Sequence, residues 1–198
     1  MKKVISAAKK NFSISISYPP LESDKGIPFL AQNRQFQWTN TGNVILPVIP
    51  AYGATALKKL GYQVYWDDAI AEKISYKLWL KRIIRRRPSL IFIESKTPVI
   101  KRHWQIINEL KQHSLKIDNW PLKIVLMGDH VTALPQESLK NCPVDYIITG
   151  GDYDFMMLSL VDFHNPSPRF YLKFSTHQCT FDGRLCRFNN RLDRKSVV

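Results

Sequence analysis

Apolar, β-branched runs alternate along this chain with segments whose apolar residues return every three or four positions. The first run, FSISISY (Phe12 to Tyr18), alternates strictly between apolar and polar residues, the pattern of a strand. Pro19-Pro20 ends it, because proline has no amide to donate to a ladder. A long polar stretch follows to about Val44. PVIPAYGATALKKLG then predicts a helix, with two prolines near its start, alanines for close packing and Gly61 as its stop. QVYW is the second strand, followed by Asp67-Asp68. SYKLWLKRIIRR predicts a helix with Tyr76, Trp79, Leu80 and Ile83 on one face. Its arginines fall on the other face and in the last turn, where cations favour the helix dipole. SLIFIES (Ser89 to Ser95) is the third strand, and VIKRHWQIINELKQH is a helix aligning His103, Ile107 and Leu110. KIVLMG (Lys123 to Gly128) is the fourth strand; a short helix near Gln136 to Lys140 leads to the fifth, DYIITG (Asp145 to Gly150). YDFMMLSLVDF closes the pattern as a helix, and nothing after Phe163 repeats it.

This alternation predicts the α/β class: a Rossmann-like, flavodoxin-like doubly wound sheet of five parallel strands with helices on both faces. The domain is expected over residues 10–163, with 164–198 a basic tail, either disordered or a truncated linker. Such sheets bind ligands outside the carboxyl ends of their strands, near the point where strand order reverses. The segments to read for function are therefore YPPLESDKG, DDAIAEK, ESKTPVIKRHW, GDHVTALPQE and TGGDYDF. No apolar run of about 18 residues and no signal-like N-terminus occurs, so a cytoplasmic protein without a membrane partner is expected. The three cysteines, Cys142, Cys179 and Cys186, are odd in number and widely spaced, which suits a reducing compartment. Cys142 is expected reduced in a loop.

Charge adds a second reading. The chain carries 29 basic against 16 acidic residues, a formal charge of +13. One cluster is KRIIRRRP (Lys81 to Pro88). Another is the tail, where Arg169, Lys173, Arg184, Arg187, Arg191, Arg194 and Lys195 oppose only Asp182 and Asp193. Neither has the basic-aromatic pattern of an RNA-binding strand or a zinc-finger spacing. A solvated helix face and a tail account for the charge; the alternative is a non-enzymatic basic protein that binds nucleic acid or a partner subunit through the tail.

The candidate chemistry is narrowed by what is missing. No GxGxxG follows the first strand and no GxxxxGK[ST] occurs, so the usual phosphate cradles are absent. The acids and lysine of a phosphorylated receiver domain are replaced by Tyr18-Pro19-Pro20, Glu94-Ser95 and Gly150-Gly151. Asp129 and His130 sit side by side in LMGDHVTALP, but neighbours on an extended segment point to opposite sides, which disfavours a catalytic dyad. The five histidines show no zinc-site spacing. Thr97-Pro98-Val99, Val131-Thr132-Ala133-Leu134 and Gly150-Gly151 offer small side chains, hydroxyls and accessible backbone, as a large, flat, amide-fringed ligand requires. Tight strand-to-helix turns use the same residues.

Taken in order, YPPLE, PVIPAYGATALKKLGYQVYWDDAIAE, RRPSLIFIESKTPVIKRHWQIINEL and KIVLMGDHVTALPQESLKNCPVDYIITGGDYDF resemble the N-terminal cobalamin-binding domain of cobalamin-dependent radical S-adenosylmethionine enzymes. The resemblance extends to those with an AQNRQFQW segment, here Ala31 to Trp38, and covers about residues 10–163. It implies a Rossmann-like sheet presenting cobalamin at its strand ends. Tyr18, Gly128, Asp129, His130, Val131, Thr132 and Leu134 would lie on the corrin side, flanked by Thr97, Pro98 and Val99 and by Gly150, Gly151 and Asp152. Where the family often has Gly-Glu-x-Glu, this chain has Gly151-Asp152-Tyr153-Asp154. The DxHxxG motif that supplies a cobalt-binding histidine elsewhere is absent, so no residue is expected to ligate the metal. CxxxCxxC is absent too, and the chain ends before a catalytic barrel of roughly 200 residues. It therefore reads as truncated, with no complete catalytic site. A [4Fe-4S] cluster and S-adenosylmethionine are expected only in a full-length protein or on a partner chain carrying the radical domain.

Overall fold

The computed structural model describes residues 12–30, 36–164, 179–182 and 185–188. Most of the AQNRQFQW segment, and the tail apart from its two strands, lie outside the described residues. Strands β1 (Ser13–Tyr18), β4 (Gln63–Asp68), β5 (Leu90–Glu94), β6 (Lys123–Met127) and β7 (Tyr146–Ile148) form a parallel sheet in the order β4-β1-β5-β6-β7. Counted along the chain, that order is 2-1-3-4-5, so the winding reverses between β1 and β5. The polar stretch after β1 contains a small hairpin, β2 (Ile27–Pro28) with β3 (Trp38–Thr39). Beyond the five strands, β9 (Leu185–Phe188) pairs parallel with β7 and antiparallel with β8 (Cys179–Asp182).

Helices cover both faces. On one side lie α1 (Val48–Lys59) and α6 (Tyr153–His164), packed on Ile14, Ile16, Leu90, Phe92, Val125 and Met127. Gly53 lets these two helices approach: a Cβ there would come within 3.2 Å of the Asp154 backbone. On the other side α2 (Tyr76–Arg86) and α3 (Ile100–Lys116) bury Trp79, Ile83, Trp104, Ile107 and Leu110 against Ile91, Ile93, Ile124 and Leu126. Strands β5 and β6 thus read as continuous apolar runs because helices cover both their faces.

Strand β1 departs from a half-exposed strand. All six of its residues are buried, serines included, because it is central to the sheet. Its hydroxyls are satisfied under α2: the Trp79 indole donates to Ser17 Oγ at 2.9 Å, and Ser15 Oγ donates to Asp67 Oδ2 at 2.8 Å. Asp67-Asp68, expected just beyond the second strand, close β4 itself, and Asp67 is fully buried. It is ion-paired with Arg86 and lies 3.5 Å from Arg82, whose guanidinium also grips Glu72 at 2.8 and 2.7 Å. The expectation that the arginines of α2 occupy its outer face is corrected for these two. A buried carboxylate at the end of β4 draws them inward, since an uncompensated charge there would be costly. Cys142 is a free thiol in the bend that follows α5 (Pro135–Asn141), as expected, and it is buried there, its thiol 3.3 Å from the Ser138 carbonyl.

Removing the Asp67 carboxylate leaves Arg86 and the Ser15 hydroxyl without their partner. Asp67→Ala should lower the unfolding free energy by about 2–3 kcal/mol, below the range for fully buried pairs because both arginines are partly solvated. Urea denaturation would measure this; a loss under about 1 kcal/mol would mean that water replaces the carboxylate at little cost.

Candidate functional site at the strand ends

The last residues of three adjacent strands sit side by side. Tyr18 of β1 is in register with Asp68 of β4, and its hydroxyl donates to Glu94 Oε2 of β5 at 2.6 Å. Because strand order reverses between β1 and β5, their connections leave to opposite faces and open a crevice above this pair. Tyr18 is 1% exposed and Glu94 is wholly buried, so they form the floor. Burial pushes the Glu94 carboxyl up to about 7, against the lowering effects of the Tyr18 hydrogen bond and Lys96. Burial, then the neighbouring Glu94, raises the Tyr18 hydroxyl well above its ordinary value. Asp68 is raised as well, mainly by burial.

The loops after β5, β6 and β7 interlock above this floor. Ser95 N donates to the Met127 carbonyl at 2.8 Å, while Ser95 Oγ and His103 Nδ1 are 2.6 Å apart in the interior. Lys96 is paired with Asp129. At Gly128, φ is +122° and a Cβ would collide with the Ser95 carbonyl oxygen, so only glycine lets the two loops meet backbone to backbone. Thr132 joins the turns after β6 and β7: its Oγ1 donates to the Gly128 carbonyl at 2.9 Å and accepts from Gly150 N at 3.1 Å. Near it lies the buried Tyr153, whose hydroxyl is raised by burial and by Glu94 and Asp129.

The predicted site residues divide into two layers. Thr97, Pro98, Asp129, Thr132, Leu134, Gly150, Gly151 and Asp152 face outward. Tyr18, Val99, Gly128, His130 and Val131 are buried beneath them. The exposed layer mixes threonine and glycine positions with Pro98, Leu134 and two aspartates, and a Cβ on Gly150 would meet nothing within 4 Å. Outside it, a groove of 450 Å³ runs between residues 20–28 and 69–75, lined by Leu21, Ile27, Ala69, Ile70 and Ile74.

Asp129 and His130 stand on a short helix, α4 (Asp129–Ala133), so the extended geometry expected for them is corrected. They still diverge, because successive helical residues are rotated by about 100°. Asp129 turns to Lys96. His130 turns inward, 3% exposed, with Nδ1 3.2 Å from Thr97 Oγ1 and its ring edge-on to Trp104 at 5.9 Å. Its Nε2 lies 3.2 Å from Glu137 Oε2 without the alignment of a hydrogen bond. The described residues hold no group of three side chains suited to a metal ion, and none of their helices is long and apolar enough to cross a membrane.

Glu94, Ser95, Lys96 and Tyr153 are the members that pattern reading passes over. An acid ending the apolar run SLIFIE was the available signal, since carboxylates are rarely placed in fully buried strands without a partner.

A five-strand parallel sheet with this order, helices on both faces and interlocked loops at its switch point defines a Rossmann-like α/β fold. Among the solved structures that share it are two of TsrM, a radical S-adenosylmethionine methyltransferase from Kitasatospora setae. The one with tryptophan substrate and the analogue aza-SAM bound has a TM-score of 0.51 and 14% identity, over 77% of this chain and 26% of that one. The one with cobalamin and a [4Fe-4S] cluster bound has a TM-score of 0.50 and 15% identity, over 78% and 27%. This chain thus spans about a quarter of the length of TsrM, and the likeness is one of fold. No family model matches the sequence, and no curated protein matches it.

Two buried groups set the acid-base behaviour of the site. Glu94 keeps its proton in the fold to about pH 7 but ionises from about 4.5 when unfolded, so stability falls as pH rises through that window. His103, buried beside Arg102, is depressed from 6.5 to about 3, so stability falls as pH drops below about 6.5. Glu94→Gln removes only the first effect. Relative to wild type it should gain roughly 3 kcal/mol at about pH 8 and much less at about pH 5, by urea unfolding. An equal gain at both pH values would show that the carboxyl ionises alike in both states.

Proposed function

We propose that this chain is a cobalamin-binding module that holds the corrin over the carboxyl ends of β5, β6 and β7. The observation that carries the reading is the tie made by Thr132. One hydroxyl binds the loops after β6 and β7, and Gly128 locks them to the loop after β5, with Thr97, Thr132, Gly150 and Gly151 exposed on the three loops. A broad, flat ligand needs such a surface, because bulky side chains would hold it away from the backbone groups that recognise its amides. The fold likeness to TsrM, one of whose structures carries cobalamin, supports the same reading.

The residues present fit the group. Thr97, Thr132 and Asp152 would meet the amide fringe, Gly150 and Gly151 would offer backbone, and Pro98 and Leu134 would supply apolar contact. Bound cobalamin would contribute its cobalt-centred chemistry, while the protein supplies orientation and polarity. His130 is turned under Thr97 and holds that turn from below through Nδ1; ligating cobalt through Nε2 would require the ring to leave its buried seat against Trp104. The radical domain, the [4Fe-4S] cluster and S-adenosylmethionine belong, in this reading, to a longer protein or to a partner chain.

Purified protein mixed with hydroxocobalamin should carry a corrin absorption band through gel filtration. Absence of comigrating corrin at high protein concentration would overturn the proposal. Thr132→Val, which removes the hydroxyl that accepts from Gly150, should weaken binding about tenfold, the effect of one lost hydrogen bond. Spectral titration would read the change, and unaltered affinity would remove Thr132 from the binding surface.

A further inference from the structure

The charge on α2 separates into two sets. Arg82 and Arg86 turn toward β4 and serve Asp67 and Glu72. Lys77, Lys81 and Arg85 are exposed at four-residue intervals, on the crest opposite the buried Trp79 and Ile83. Among the described residues none of the three takes part in an ion pair, and the helix contains no acid. Arg87, also exposed, continues the cationic line at the helix end.

This arrangement works against the helix that carries it. Like charges four residues apart repel. Lys77 stands in the first turn, where the positive end of the helix dipole disfavours a cation. Arg87 holds a left-handed conformation, φ +46°, at the place where glycine is the usual choice. Only Arg85, in the last turn, has a favourable local reason to be basic. Among the described residues no ion pair offsets these effects at Lys77, Lys81 or Arg87, which leaves their charge open to a partner.

We propose that α2 docks through the crest of Lys77, Lys81, Arg85 and Arg87 onto the phosphate backbone of a nucleic-acid duplex. Four-residue steps advance roughly 6 Å along the axis, presenting a row of cations to a row of phosphates. Contacts of this kind position a protein without reading base sequence. The formal charge of +13 adds long-range attraction. The inference is independent of cobalamin binding, since α2 lies on the outside of one helical layer.

The test uses the full chain, with its basic tail intact, and a fluorescein-labelled DNA duplex of about 20 base pairs, read by anisotropy over a range of salt. The combined variant Lys77→Ala, Lys81→Ala, Arg85→Ala should weaken binding more than tenfold at low salt and reduce the slope of log K against log salt by about three. Its melting temperature should hold or rise, because exposed like charges have been removed. Arg87→Gly should raise the melting temperature while weakening the duplex complex. An unchanged salt slope in the triple variant would overturn the proposal, as would binding to anionic phosphatidylserine vesicles with none to the duplex. A melting temperature lowered by Arg87→Gly would give Arg87 a structural role and remove it from the crest.

Discussion

The seam between β1 and β5 is the constraint on which the strand-end architecture depends. Parallel strands need crossovers, and a sheet wound outward in both directions from one seam must send neighbouring crossovers to opposite faces. The Tyr18–Glu94 hydrogen bond spans that seam at its carboxyl end. It buries a phenol and a carboxyl together, and burial raises both groups, so that the carboxyl keeps its proton up to about pH 7. A floor of this kind stays closed while leaving the loops above it free to form a binding surface.

Those loops are held by backbone contacts more than by side-chain bulk. Gly128 brings the β6 turn onto Ser95, and Thr132 carries the connection on to Gly150. Small residues are needed twice in this design, once for the loops to meet and once for a flat ligand to approach. That double use explains why the same threonines and glycines read equally well as tight turns and as a binding surface.

The helical layer over α2 shows a different economy of charge. Ser15, Ser17, Asp67, Trp79, Arg82 and Arg86 place polar groups inside an otherwise apolar layer, with the Ser15 hydroxyl and the Arg86 guanidinium meeting on Asp67 and the Trp79 indole donating to Ser17. This network resolves a conflict within one helix, whose sequence places arginines close to a buried strand end. The unpaired cations of the crest remain outside this network, which separates structural charge from the charge free to meet a partner.

The winding, the strand count and the two-sided burial of β5 and β6 were legible in the sequence, because hydrophobic period depends only on local repeat and on which faces are covered. So were the turns that carry Thr97, Thr132 and Gly150, since proline, glycine and threonine mark loop geometry wherever they fall. Other assignments needed the assembled sheet. Asp67 and Asp129 are both acids at strand ends, yet one is buried against Arg86 and the other is exposed beside Lys96. His130 was expected on an extended segment and is turned beneath Thr97 by a five-residue helix too short to announce itself through periodicity. Period tells a residue which side of its own element it occupies. Only packing decides which charge from a distant part of the chain meets it there, and so which acids and arginines support the fold and which remain available to a ligand.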